Sequence, residues 1–137
     1  METLFESPHL IINYDAANGW LHLLWQGHHE EVDSKAYYLE ILEKIRLTRA
    51  TRVFNDATLD EDGWGELTRW IAQDLMHQVA EAGVVAVAWV LPENLQARAD
   101  VHKVLAQVNC PLIDTFVDAE AAYNWLKNGA IITNPDC

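Results

Sequence analysis

The chain has 137 residues, of which half are hydrophobic and 22% are charged. This composition is typical of one globular domain and excludes intrinsic disorder. Subtracting its 21 acidic residues from its 9 Lys and Arg gives a net charge of −12. Because such a surface repels phosphate groups, we expect no nucleic-acid partner and no docking on anionic lipid. No apolar run approaches the ~20 residues of a membrane span, so we expect no membrane insertion.

The cysteines and the first residues bear on the cellular compartment. The first six residues are acidic and lack the basic start of a signal peptide. The two cysteines, Cys110 and Cys137, have neither metal-binding nor redox spacing. We therefore expect a protein of the reducing cytoplasm.

A hairpin and a helix are predicted for the first third of the chain. Residues 10–14 and 20–25 are β-rich, and Asn18-Gly19 between them favours a tight antiparallel turn. The apolar spacing then becomes helical over residues 33–49, with Asp33 or Ser34 as the expected N-cap.

Strands and helices are predicted to alternate in the rest of the chain. A short strand at 51–55 precedes a turn-rich stretch, a helix over 66–82 ends at Gly83, and 84–91 is an apolar, fully covered strand. A third helix over 92–108 is predicted to bury Leu95, Ala99, His102 and Leu105. A last strand at 112–117 precedes a short helix that Asp118 caps.

This order predicts a single α/β domain over residues 1–137, with an ordered core at about 10–129 and a tail at 130–137. Right-handed crossovers predict about five strands in a mostly parallel sheet, with helices mainly on one face.

Three stretches carry a family resemblance: NGWLHLLWQG at 18–27, VFND at 53–56 and DAEAAYNWL at 118–126. They resemble the SpoIIAA-like branch of the STAS family, over residues 10–129. The resemblance implies a βα superhelix related to anti-sigma factor antagonists and to CRAL-TRIO lipid-binding domains. It also implies a small cytoplasmic protein without an established enzymatic role.

The resemblance also implies a place to look for a phosphorylation switch. Anti-sigma factor antagonists carry a phosphorylated serine after the third strand, in an Asp-Ser-Ser-Gly-type segment. Here Ala57 stands where a hydroxyl is expected, and Thr58 is the remaining acceptor. Because Asp56 and Asp60 lie beside Thr58, added phosphate charge is unfavourable, and we expect no clear phosphoserine site.

Acidic residues concentrate in the strand-to-helix connections, which a parallel sheet gathers at one edge. Two interpretations stay open: acids complementing helix N-termini, or an acidic rim that attracts a cation or a basic partner. Lys44, Arg46, Arg49 and Arg52 cluster at the opposite end. We define the candidate recognition edge by eight residues: His28, His29, Glu30, Asp56, Thr58, Asp60, Asp62 and Trp64.

Motifs for catalysis and cofactors are sparse. His28, His29 and Asp56 could ligate a divalent ion, but no His-x-x-x-His or Cys-x-x-Cys supports them, so we expect no metal and no cofactor. The sequence has no Gly-x-Ser-x-Gly and no Gly-rich nucleotide loop. We therefore expect no catalytic residues and no enzymatic activity.

Tryptophans suggest interfaces. Trp20 and Trp25 have opposite parity on one strand and face opposite sides of the sheet, while Trp125 lies on the short last helix. Since exposed aromatic residues are enriched at protein interfaces, these three are interface candidates and a homodimer is expected.

The function predicted is a non-enzymatic binding or regulatory module whose partner is a protein with a basic surface. The alternative is a carrier or sensor of a small apolar, lipid-like ligand in a cavity lined by Trp64, Leu67, Trp70 and Trp89. A metal-dependent enzyme ranks last.

Overall fold

The computed structural model describes residues 1–62 and 65–129. Six strands form one sheet: β1 (Glu2–Glu6), β2 (Leu10–Asp15), β3 (Trp20–Gly27), β4 (Arg52–Asp60), β5 (Ala86–Val90) and β6 (Leu112–Phe116). The α-helices are α1 (Glu31–Thr48), α2 (Leu67–Trp70), α3 (Met76–Glu81), α4 (Leu95–Leu105) and α5 (Ala119–Asn124). A π-helical turn, Ile71–Leu75, joins α2 to α3, and another, Trp125–Gly129, follows α5.

The strands lie side by side in chain order, from β1 to β6. The pairs β1–β2 and β2–β3 are antiparallel, whereas β3, β4, β5 and β6 pair in parallel. The α/β class is confirmed, but the expected number of strands, five, is wrong. The missed strand β1 has a register shift between Thr3 and Phe5, which breaks the alternation of polar and apolar residues that reveals strands in a sequence.

The hairpin between β2 and β3 is confirmed. Asp15 pairs with Trp20 across its closing end. Gly19 adopts φ +74°, a left-handed conformation that glycine reaches without the clash of a Cβ atom. The Gly19 amide donates to the Asp15 carbonyl at 2.7 Å, which closes the turn.

Helices cover the two faces of the sheet unequally. The larger core joins α1, α3, α4 and the intervening π-helical turn to one face, which carries Leu21, Leu23 and Trp25 of β3. The smaller core joins Ala122 and Leu126 to the opposite face, around Phe54. Three parallel crossovers of one hand place their helices on the same face, so only the chain after β6 reaches the other one.

Two predicted helix details are wrong. Helix α1 begins at Glu31, with Glu30 as an N-cap that makes no side-chain cap bond, and Ser34 lies inside the first turn. In α4 the buried residues are Ala97, Asp100, Val101 and Val104, so the predicted inward stripe through Leu95, Ala99, His102 and Leu105 has the wrong phase. Asn94 caps α4 by accepting from the Ala97 amide, and with this cap the helix begins at Leu95, three residues later than expected from Pro92.

The second predicted helix is interrupted, and its apolar spacing did not predict the interruption. Residues predicted as one helix form α2, the π-helical turn and α3, with Gly83 at φ +108° after the last turn. Among the described residues, no helix is long and apolar enough to cross a membrane.

Candidate functional site

The loops that follow β3 and β4 lie together at the carboxyl edge of the parallel strands. The Glu61 amide donates to the Gly27 carbonyl at 3.1 Å, which extends the pairing of the two strands by one bond. Gly27 has φ +75°, and a Cβ atom there would lie 3.5 Å from His9 Nδ1. This glycine turns the chain away from β3, so His28 and His29 face the second loop.

His28 makes the outward contact between these loops, which we call the outer contact: His28, Glu61 and Asp62. His28 Nδ1 lies 3.0 Å from Asp62 Oδ1, and His28 Nε2 lies 3.0 Å from Glu61 Oε2. The hydrogen bond to Asp62 and the two carboxylate charges raise the pKa of His28. Partial burial acts to raise the pKa of Asp62, but its bonds to His28 and to the His29 amide outweigh this and lower it.

His29 makes the inward contact, which we call the inner relay: Ser34, His29 and Asp60. His29 Nε2 lies 2.8 Å from Asp60 Oδ1, and His29 Nδ1 is hydrogen-bonded with Ser34 Oγ. The His29 side chain is 0% exposed. The His29 amide also donates to Asp62 Oδ2 at 2.6 Å, so the inner relay and the outer contact share one carboxylate.

The inner relay has the residue types of a serine hydrolase triad, yet its geometry suits a structural role. Ser34 is 2% exposed, and its hydroxyl lies 3.0 Å from the Glu30 carbonyl, to which it donates. A nucleophile must reach a substrate carbonyl, and this hydroxyl lies inside the first turn of α1. The relay therefore holds the start of α1 against the end of β4.

A β-bulge places Asp60 in the relay. Leu24 pairs with Asp56, whereas Gln26 pairs with Leu59, so β4 contains one residue more than β3 between these pairs. Without this extra residue, Asp60 would share the face of Asp56; with it, Asp60 turns toward the face covered by α1. Strict alternation read from the sequence misses this change of face.

Asp56 and Thr58 do not join the relay. They belong to β4, which extends to Asp60, so the prediction that the strand ends at residue 55 and gives way to a turn-rich stretch is wrong. Asp56 Oδ1 accepts from the Thr58 hydroxyl at 2.6 Å and from the Thr58 amide at 3.0 Å. Asp56 shares the face of Phe54, where His22 stacks on the Phe54 ring at 4.9 Å, and burial lowers the pKa of His22.

The recognition edge is thus divided by the structure. His28, His29, Asp60 and Asp62 are brought together, and Glu30 is exposed beside them. Trp64 and the predicted tail 130–137 lie outside the described residues. Within residues 1–62 and 65–129, no group of three or more His, Cys, Asp or Glu could hold a metal ion. In the same ranges no cysteine has a free thiol.

Two of the three interface candidates are wrong, because Trp20 and Trp25 are fully buried within the chain itself. Trp20 packs against the Tyr123 ring of α5, at 5.4 Å between centroids. Trp25 donates from Nε1 to Asn55 Oδ1 at 2.9 Å beneath α1. Each face of the sheet has its own helical cover, so neither indole is left for a partner. Trp125 is half-buried against Phe116, at 5.6 Å.

Exposed apolar side chains at the same edge were missed by the sequence reasoning. Val32, Leu95 and Val117 are 78%, 78% and 79% exposed. They follow the carboxyl ends of β3, β5 and β6, in the first turns of α1 and α4 and directly after β6. For Val32 and Leu95 the signal in the sequence is an apolar residue in the first turn of a helix, out of phase with the buried stripe.

A scan of the chain against protein-family models finds no matching family. A search of curated proteins finds no related protein.

Proposed function

We propose that the protein is a non-enzymatic binding module, and that its carboxyl edge recognises a protein partner whose surface is basic and partly apolar. The observation that carries this proposal is the exposure of Val32, Leu95 and Val117 at one edge of the sheet. Most valine and leucine side chains of this chain are buried or half-buried. Exposed apolar side chains that gather at one edge are typical of protein interfaces.

Charge specifies the kind of partner. Glu30, Glu61 and Glu93 are exposed in the same connections, and the chain as a whole carries −12. A surface of this sign attracts Lys and Arg over several ångströms and increases association rates at low salt. Apolar contacts then supply affinity, because exposed charge pairs contribute little.

The inner relay supports recognition by presenting a rigid surface. It joins the loop after β3, the first turn of α1 and the end of β4 through buried hydrogen bonds. A pre-ordered surface loses less conformational entropy when it binds. The relay has no exposed nucleophile, and we therefore assign the edge to binding rather than to catalysis.

Membership of the SpoIIAA-like branch of the STAS family remains part of this proposal. The hairpin followed by alternating parallel strands and helices supports it, as do the fold-bearing stretches at 18–27 and 118–126. A homodimer remains a further proposal, and Trp125 is the one interface tryptophan with exposed surface among the described residues.

Affinity capture from the native host tests the proposal. The wild-type protein and the double variant Val32→Ser/Leu95→Ser are immobilised at equal density, and captured proteins are quantified by mass spectrometry. We expect the double variant to lose the wild type's main partner by about tenfold or more, since central apolar contacts dominate binding energy. Recovery of that partner should also fall as salt rises, because charge steers the encounter.

Leu47→Ser is the matched control. Leu47 is 70% exposed at the other end of α1, away from the recognition edge. This variant should capture the same partners as the wild type. Equal capture by the wild type and the double variant would contradict the proposal, and so would loss of the partner in Leu47→Ser alone.

A further inference from the structure

A cavity of about 40 Å³ lies in the larger core, between the sheet and helices α1 and α3. Its walls include Leu23, Ile41, Ile45, Leu75, Met76 and Val79, and nearly all of its lining is apolar. It is separate from the recognition edge, because none of the residues in the outer contact or the inner relay lines it.

The lining determines what such a cavity can hold. A buried water needs two to four polar partners, whereas empty apolar cavities stay dry and take up apolar atoms and molecules. Three residues of the wall carry polar side-chain atoms, Tyr38, Asn55 and Trp89, but they expose almost no polar surface to the cavity. Asn55 Oδ1 accepts from Trp25 Nε1 at 2.9 Å. An apolar occupant therefore suits the cavity better than water does.

The volume determines the size of the occupant. About 40 Å³ is several times the ~10–15 Å³ that one water requires, but well below the ~150 Å³ of an engineered cavity that binds benzene. A fatty-acid chain or a sterol does not fit this volume. A single large atom, or a molecule of very few heavy atoms, does fit this volume.

The backbone beside the cavity is irregular. The π-helical turn Ile71–Leu75 ends at the cavity. Its last residue, Leu75, and the first residue of α3, Met76, both line the cavity. Such turns insert an additional residue into a helix and occur often at functional sites. Met76 adds an unbranched, polarizable side chain that adapts to irregular gaps. The wall formed by these two residues can therefore adjust to an occupant.

We propose that this cavity is a binding site for a small apolar molecule of a few heavy atoms. The site extends what the protein does beyond partner recognition at the carboxyl edge, and it does not depend on that function. Its size excludes, as an occupant of this cavity, the lipid-like ligand of the alternative function.

Dissolved xenon is the probe, observed by NMR on protein labelled at isoleucine δ1 methyl groups. We expect saturable shifts for Ile41 and Ile45, which line the cavity. Ile12 and Ile71 are equally buried but do not line it, and their signals should stay in place. No shift at Ile41 and Ile45, or shifts of the same size at all four residues, would overturn the proposal.

Val79→Ile tests the location, because an added methyl group reduces the space beside α3. Xenon affinity should fall by about tenfold, since a filled cavity admits an extra atom only with strain. Val101→Ile makes the same chemical change at a buried position of α4 that does not line the cavity, and it should leave binding unchanged. Thermal unfolding verifies that both variants fold. Unchanged binding in folded Val79→Ile, or displacement of xenon by decanoate, would overturn the proposal.

Discussion

The outer contact and the inner relay begin at adjacent residues of one loop, yet they differ in almost every physical respect. The side chain of His28 is 75% exposed, whereas that of His29 is 0% exposed. Both imidazoles lie within 3.0 Å of a carboxylate oxygen. The exposed pair competes with water and is screened by salt, whereas the buried one is surrounded by groups that cannot replace a lost partner.

The difference shows that the same kind of pair, a histidine imidazole with an aspartate carboxylate, performs different tasks when it is exposed and when it is buried. The inner relay fixes the positions of α1 and β4 relative to each other, while the outer contact adjusts the charge of the recognition edge. Variants that separate the two tasks test this comparison.

The largest effect is expected for His29→Ala. Removal of the imidazole leaves the Asp60 carboxylate and the Ser34 hydroxyl buried without it, which should lower the free energy of unfolding by about 3 kcal/mol. Urea denaturation at neutral pH measures the change. In His28→Ala the effect should be much smaller, because water replaces the lost contacts.

A double-mutant cycle sharpens this result. His29→Ala combined with Asp60→Ala should cost less than the sum of the two single changes, since the carboxylate that was left unpaired is also removed. Additive losses would show that the two residues contribute independently, and the relay would then not act as a unit.

A smaller effect is expected for Ser34→Ala. This change removes one buried hydrogen-bond partner of His29 and a bond to the Glu30 carbonyl, while alanine favours the helix. We expect a loss of about 1 kcal/mol, measured by urea denaturation. Ser7→Ala is the control at the other serine, whose hydroxyl is part-buried and bonds to the backbone of His9 and Leu10, outside the relay. An equal loss in both variants would contradict a special role of the relay.

The smallest effect concerns pH and the outer contact. Because the pKa of His28 is raised from 6.5, its contribution is complete below 6.5 and is lost as pH rises through the folded-state value. Because the pKa of Asp62 is lowered from 3.8, its contribution is complete above 3.8 and is lost as pH falls through the folded-state value.

The stability difference between the wild type and His28→Gln should therefore be largest between pH 3.8 and pH 6.5 and should shrink as the pH rises above 6.5. Urea midpoints measured across this range test the sign. A difference that grows with pH would contradict the assignment of the outer contact.

Local patterns in the sequence were sufficient to predict most of the fold. Asn18-Gly19 predicted the hairpin because a tight turn needs positive φ, and the apolar run around Trp89 predicted a strand covered on both faces. Asp118 predicted the start of the last helix, where it accepts from the Glu120 and Ala121 amides. Each of these signals acts within a few residues, and tertiary contacts did not override it.

Tertiary structure alone decided the site. The bulge in β4 places Asp60 on the face of His29, in a segment that the sequence predicted as turn-rich rather than as strand. Helix α5 covers Trp20, which its position on the strand had suggested as an interface residue. The sequence by itself determined the hairpin turn, the central strand that is covered on both faces and the cap of the last helix. Which side chains meet, and which remain in water, depended on the cover that distant elements provide, because burial is a property of the assembled chain and not of any local segment.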